Sequence, residues 1–358
     1  MIGFPAQPEG VAWPTDGWSV AEPDADVDAV RLAALVDRAF ADPQPDDLAI
    51  TRALVVVHRG VIVAERYGPE TTADTPLCSW SMAKSVLATL VGILVDAGRL
   101  DPDAPAAVPG WSDDGDPRRS ITLAHLLQMR SGLAWREEYV DATVSDVIEM
   151  LFGSGQDDMA AFAASMPLVE PPGTVTLYSS GTTNIVSRIV ADVVGGGGGA
   201  AADGGAAADG GAAAFTAWSR EVLFDPIGMG SVSPRFDASG TWVASSFLWA
   251  TARDFARFGL LHLRGGAWEG RQIVSEPWVR FETTASGVDE DGDVHGAHWW
   301  VLPEPPGAFS AIGFDGQRVR VVPARDLVVV RLGQTPSDRK PHLTAWLDDV
   351  GDCFPDRP

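Results

Sequence analysis

The chain has 358 residues, 49 of them acidic and 26 basic, for a formal net charge of −23. A hydrophobic fraction of 46% with 13 tryptophans excludes a disordered acidic tail, which is poor in aromatics. The negative field also excludes nucleic acid as a partner, because that binding rests on Lys and Arg neutralising phosphates.

In chain order, the opening stretch MIGFPAQPEGVAWPTDGW has no basic start and no apolar core, so it does not read as a secretory signal. No later window supplies the ~18 uncharged apolar residues of a membrane span, and the expected location is the cytoplasm. ALVVVHRGVIVAERYG (53–68) is two β-branched runs around His58-Arg59-Gly60, the pattern of a hairpin. SWSMAKSVLATLVGILVDAG (79–98) is a helix stopped by Gly98. Residues 99–170 mix helical signals and loops, with SITLAHLLQMRSG (120–132) a short helix that Thr122 caps. Residues 184–194 read as helix and run into GGGGGAAADGGAAADGGAAA (195–214), expected to be a flexible surface insertion. It has neither a strand–GxGxxG–helix context nor GK[ST], so it is no phosphate loop. TARDFARFGLLHLRGG (251–266) reads as an amphipathic helix, GQRVRVVPARDLVVVRLG (316–333) as a second hairpin, and HLTAWLDDVGDCF (342–354) as a closing helix.

Strands at both ends with helices between predict an α+β fold. One sheet is assembled from the two chain termini, with a cleft where a helical lobe meets it. Residues 1–50 form an N-terminal extension with a first helix, and 51–358 a single domain. Within that domain, 51–75 and 300–358 make the sheet part and 76–299 the mainly helical lobe carrying the 195–214 insertion. Cys78 and Cys353 are far apart with no CxxC spacing, so neither zinc nor a redox pair is indicated.

Only two of the basic residues are lysines, Lys84 and Lys340. An acidic chain nearly without lysine fits a high-salt cytoplasm, where screening removes self-repulsion; a GC-rich genome also favours Arg over Lys. Against that background, a lysine inside an apolar run needs a reason. With the helix starting at Ser81, Lys84 lies one turn on, on the same face, so Oγ and Nζ can meet. A lysine tucked against apolar surface has a lowered pKa and can take a proton from serine. The bland alternative is an ordinary N-terminal Ser and a snorkelling Lys.

LYSSGTTNIVSRI (177–189) places Tyr178 and Ser180 at a loop-to-helix junction after Pro171-Pro172-Gly173. Alone, Tyr178 reads more readily as a packed tyrosine with a satisfied hydroxyl. In AIGFDGQ (311–317), glycines flank Phe314 at a strand start. Gly313 permits close backbone approach, and an exposed N–H there can pair with that of Ser81 as an oxyanion donor. A strand entry with a bulge is the competing reading.

Taken together, SxxK, YxS and the glycine-containing strand resemble the serine β-lactamase and penicillin-recognising family over roughly residues 50–350. ITLAHLLQMRSGLAW, YSSGTTNIVSRI and ATARDFARFGLLHLRGG are similar to its class C-related branch of esterases and 6-aminohexanoate-dimer hydrolases, which has Tyr-x-Ser where β-lactamases usually have Tyr-x-Asn. The resemblance implies a β-lactamase-like fold and hydrolysis of a small ester or amide through an acyl-enzyme, with no cofactor and no metal. It makes Ser81 the nucleophile, Lys84 its general base and Tyr178 a proton shuttle to the leaving group. Ser180 orients the lysine or the substrate, and Tyr139 of WREEY matches a pocket tyrosine of the oligomer hydrolases. β-Lactamases carry Lys-Thr-Gly on the strand beside the site, whereas here Ala311-Ile312-Gly313 offers no cation and Asp315 follows. A substrate without a required carboxylate therefore fits better than a β-lactam.

Other chemistries have thinner support. His295-x-x-His298 is half a metal site without further His or Cys spacing, and His125 reads as a core-edge histidine bonded to backbone. Ser81 lies in no GxSxG elbow. A D,D-peptidase needs a periplasmic address, and a non-catalytic binding module on the same fold would have lost Ser, Lys or Tyr; all three are present. Oligomeric state has no sequence signal.

Overall fold

The computed structural model describes residues 3–139, 145–196 and 206–357. In chain order come helix α1 (Ala29–Ala39), strands β1 (Ile50–His58) and β2 (Val61–Tyr67), and helices α2 (Met82–Asp96) and α3 (Leu123–Leu127). Next are α4 (Asp146–Phe152), α5 (Met159–Ala164), α6 (Ser180–Val194), α7 (Ala206–Ser219), α8 (Ala252–Leu263) and α9 (Glu276–Thr283). The chain closes with β3 (Gly287–Val288), β4 (Val294–His295), β5 (Trp300–Val301), β6 (Phe309–Gly313), β7 (Gln317–Val322), β8 (Leu327–Gln334) and α10 (Lys340–Gly351).

These eight strands form one antiparallel sheet in the order β2-β1-β8-β7-β6-β5-β4-β3, so the N-terminal hairpin is paired to the C-terminal one as expected. Arg59 and Gly60 both take positive φ, the two-residue turn whose twist matches the flanking strands. Both faces of the central strands are covered, which is why they read as unbroken apolar runs. On β1, Ala53, Val55 and Val57 face the main core with α2 and α8, while Leu54 and Val56 face a second core built with α1 and α10. Leu327 and Val329 of β8 join that second core, and Val328 and Val330 the first.

Two expectations change. α8 is not a half-exposed amphipathic helix: its polar residues other than Arg253 are buried as well, Asp254 paired to Arg257 at 2.7 Å and His262 to Glu282 at 3.2 Å. Arg257 also donates to the carbonyl of Pro14 at 2.8 Å, so the N-terminal segment covers the helix face that the polar pattern assigns to water. The second change is in the 195–214 segment. Residues 197–205 lie outside the described residues, but from Ala206 onward the chain is helix α7, not a loop. Alanine has the highest helix propensity, and Phe215, buried against Phe236 and Trp242, ties the helix down. Among the described residues, no helix is long and apolar enough to cross a membrane.

Candidate active site

Four segments meet at the N-terminus of α2. Leu77–Cys78 pairs with Leu248–Ala250, and Ser79 is pinned by its N–H to the carbonyl of Leu248 and by its hydroxyl, which accepts from the N–H of Leu248. Trp80 then takes φ 45°, a left-handed turn costly for a bulky residue, and its ring is held between Phe247 and Phe314. This turn delivers Ser81 as the cap of α2 at the helix's positive end. On the far side, β5 pairs with β6 only at Phe309 and Ser310, so among the described residues the rest of β6 has no strand on that edge, beside α2. A Cβ on Gly313 would stand 2.2 Å from the carbonyl oxygen of Ser79; only glycine lets strand and turn approach this closely.

Lys84 is fully buried. Its Nζ lies 3.0 Å from Ser81 Oγ, 3.0 Å from Ser180 Oγ and 2.7 Å from the carbonyl oxygen of Ser245. Burial pushes its pKa down to about 8, against the pull of the Glu137 carboxylate, which raises it. Glu137 in turn accepts from Ser180 Oγ at 2.5 Å, from the Ser180 N–H at 2.9 Å, from the Tyr139 hydroxyl at 2.6 Å and from Trp135 Nε1. The hydroxyl proton of Ser180 is therefore committed to Glu137, and Ser180 can only accept from Lys84. The Ser245 carbonyl can only accept as well. Two of the three hydrogen positions on Nζ are thus assigned to acceptors. The third faces Ser81: a proton when the lysine is charged, a lone pair when it is neutral.

Tyr178 lies over this group, with Lys84 Nζ 4.9 Å from its ring centroid. Burial and the Glu137 charge push its phenol well above the ordinary tyrosine range, and an interaction with the Ser81 hydroxyl pulls the other way. The phenol is protonated at neutral pH. The Tyr139 ring packs tilted against Phe314 with centroids 5.1 Å apart, and both line one cleft of about 1180 Å³ together with Ser81 and Tyr178. All seven residues named from the sequence, Ser81, Lys84, Tyr178, Ser180, Tyr139, Gly313 and Phe314, fall at this cleft or in its wall.

Two partners had no sequence signal strong enough to name them. Glu137 stands two residues before Tyr139 in WREEY, but nothing in a string of letters ties it to Ser180, 43 residues on. Ser245 contributes a backbone carbonyl, which any residue carries. At the stretch without a cation, Ala311 is packed in the core on the helix side and Ile312 lines the cleft. Cations do reach the cleft from elsewhere, Arg130, Arg136, Arg318 and Lys340, but carboxylates outnumber them: Glu137, Glu138, Asp289, Glu290, Asp291, Asp293 and Asp315. His125 is a cap, its Nδ1 accepting the N–H of Thr122 at 3.2 Å. His295 is bonded to Asp289 at 2.7 Å while His298 turns to Thr183, so the two rings share no ligand direction.

The β-lactamase family model matches residues 37–350. The chain belongs to the β-lactamase family. Its resemblance extends to a 6-aminohexanoate-dimer hydrolase of Paenarthrobacter ureafaciens, 27% identical over 333 residues that cover 87% of this chain and 80% of that one. A candidate 6-aminohexanoate-dimer hydrolase from Bacillus anthracis superposes with a TM-score of 0.73 at 21% identity, covering 98% of this chain and 90% of the other. A family VIII carboxylesterase does so with a TM-score of 0.66 at 17% identity, covering 93% and 99%. This β-lactamase family member is thus a serine hydrolase on the β-lactamase fold, in a neighbourhood of amide hydrolases and esterases.

Proposed function

We propose that the protein hydrolyses a small ester or amide through an acyl-enzyme on Ser81, with Lys84 as general base. The observation that carries this reading is the bonding of Nζ: with Ser180 and Ser245 both able only to accept, the lone pair of neutral Lys84 has Ser81 as its one proton source. Ser81 Oγ attacks the acyl carbon as its proton passes to Nζ. The bond to the leaving group then breaks, and the protonated Tyr178 phenol relays a proton to the departing oxygen or nitrogen. Water repeats the sequence to release the acid and restore Ser81. The backbone N–H groups of Ser81 and Phe314 are the proposed oxyanion donors, and Tyr139 meets the leaving-group side.

The excess of carboxylates around the cleft favours neutral or cationic substrates over anionic ones. Short p-nitrophenyl esters are therefore expected to give higher kcat/KM than benzylpenicillin or nitrocefin; the reverse order would make the protein a β-lactamase on the same residues. A serine-reactive phosphonate should add to Ser81, located by peptide mass spectrometry, and labelling elsewhere would overturn the assignment. The −23 charge and the two lysines support a high-salt cytoplasm as the working environment.

A further inference from the structure

Behind the lysine, away from the cleft, one residue touches both helices that build the site. His298 lies between β4 and β5 with φ 59°, and is 3% exposed. Its N–H donates to the carbonyl of Leu127 at the end of α3, 2.9 Å away. Its carbonyl accepts from Ser85 Oγ at 2.7 Å, and Ser85 is the α2 residue directly after Lys84. Its ring Nε2 stands 2.9 Å from Thr183 Oγ1, and Thr183 is one turn beyond Ser180 on α6. Either tautomer keeps that bond and leaves Nδ1 without a partner.

We propose that His298 is a positioning residue for the Ser81–Lys84 pair: it holds α2 and α6 at the separation that keeps Lys84 bonded to Ser180 and shut away from water. The inference rests on the base assignment above. The geometry gives it content. Three anchors on three helices converge on one left-handed residue, and two of them lie next to Lys84 and one turn from Ser180 respectively. The ring stays uncharged beside the lysine: burial, with the Lys84 charge adding, pushes its pKa down to about 3. The titratable groups facing Lys84 are Glu137 from the loop after α3, Tyr178 ahead of α6, and His298, with His295 behind it. Of these, only His298 bonds both helices.

The test uses the rate of Ser81 labelling by a fluorophosphonate as a function of pH, which needs no knowledge of the substrate. The wild type should show a limb rising through about pH 8, the pKa to which burial lowers Lys84. His298→Ala loosens the helix pair and admits water to Lys84. Its labelling should fall by about 10- to 100-fold, and the limb should move toward the higher pH of an ordinary lysine. His298→Gln, neutral and able to reach Thr183, should restore most of the rate and the limb. Ser85→Ala, which keeps the ring and deletes only the α2 tether, should move the limb the same way by less, and it decides the matter should His298→Ala fail to fold. A purely structural role would lower the melting temperature and leave the limb in place. Folded variants with rates within twofold of wild type and an unmoved limb would overturn the inference; a wild type that is never labelled overturns the base assignment itself.

Discussion

Lys84 makes three bonds, and only the Ser81 hydroxyl among its partners has a proton free to give. Lys84→Ala should lose about 10²–10⁴ in kcat with the fold intact, and Lys84→Arg should not rescue it, because a guanidinium stays charged. Steady-state hydrolysis of p-nitrophenyl butyrate measures both. The pH dependence has a definite sign. The working base is the neutral amine, so the rate rises with pH through about 8. Stability follows the same group. Its folded pKa lies below its ordinary 10.5, so the unfolded chain binds more protons between those values, and the burden of the buried charge fades as pH climbs through the window. The difference in melting temperature between wild type and Lys84→Met should therefore change between pH 7 and pH 10 in favour of the wild type. Glu137→Gln acts in the opposite direction from His298→Ala: it removes the charge that raises the Lys84 pKa, so the activity limb should move toward acid while the rate drops about tenfold or more. A limb displaced upward would mean that Glu137 holds the lysine by another route.

α7 shows how an element can form where the local sequence offers propensity but no apolar face. A run of alanine, glycine and aspartate offers no apolar face, yet Ala206–Ser219 is held as a helix because Phe215 at its far end packs against Trp218, Phe236 and Trp242. Deleting residues 195–205 and bridging with Gly-Ser should leave hydrolysis within a few-fold. Phe215→Ala should cost about 3–5 kcal/mol in urea unfolding, as a buried aromatic does. If the deletion destroys activity and Phe215→Ala does nothing, the anchoring is misassigned. The turn at Trp80 and the edge of β6 beside α2 form a second such pair. Gly313→Ala should force strand and turn apart and abolish acyl-enzyme formation, measured by phosphonate labelling.

Across the molecule, a charge of −23 is distributed over a surface with few lysines, and its ion pairs are mostly Arg–Asp pairs at the surface. Exposed pairs contribute little each, and the net repulsion is long-ranged, so screening should help the fold. The melting temperature should rise steadily from dilute buffer to molar KCl. A flat profile would remove the high-salt reading and leave the hydrolase untouched.

What the residues determined unaided was chemistry with local spacing. Ser81 and Lys84 sit one helical turn apart, so a short stretch of sequence already brings Oγ and Nζ together; the same locality made the hairpin at Arg59-Gly60 and the Thr122 cap legible. The scarcity of lysine made Lys84 conspicuous. What only the tertiary structure decided was everything that crosses the chain. Glu137 fixing the Ser180 proton, the Ser245 carbonyl claiming another hydrogen of Nζ, Ala311 facing the core instead of the cleft, and the buried polar face of α8 each depend on segments tens to hundreds of residues away. The reason is physical. A hydrogen bond or a buried face is set by what lies opposite, and in the sheet and helix packing of this fold that partner belongs to a distant part of the chain.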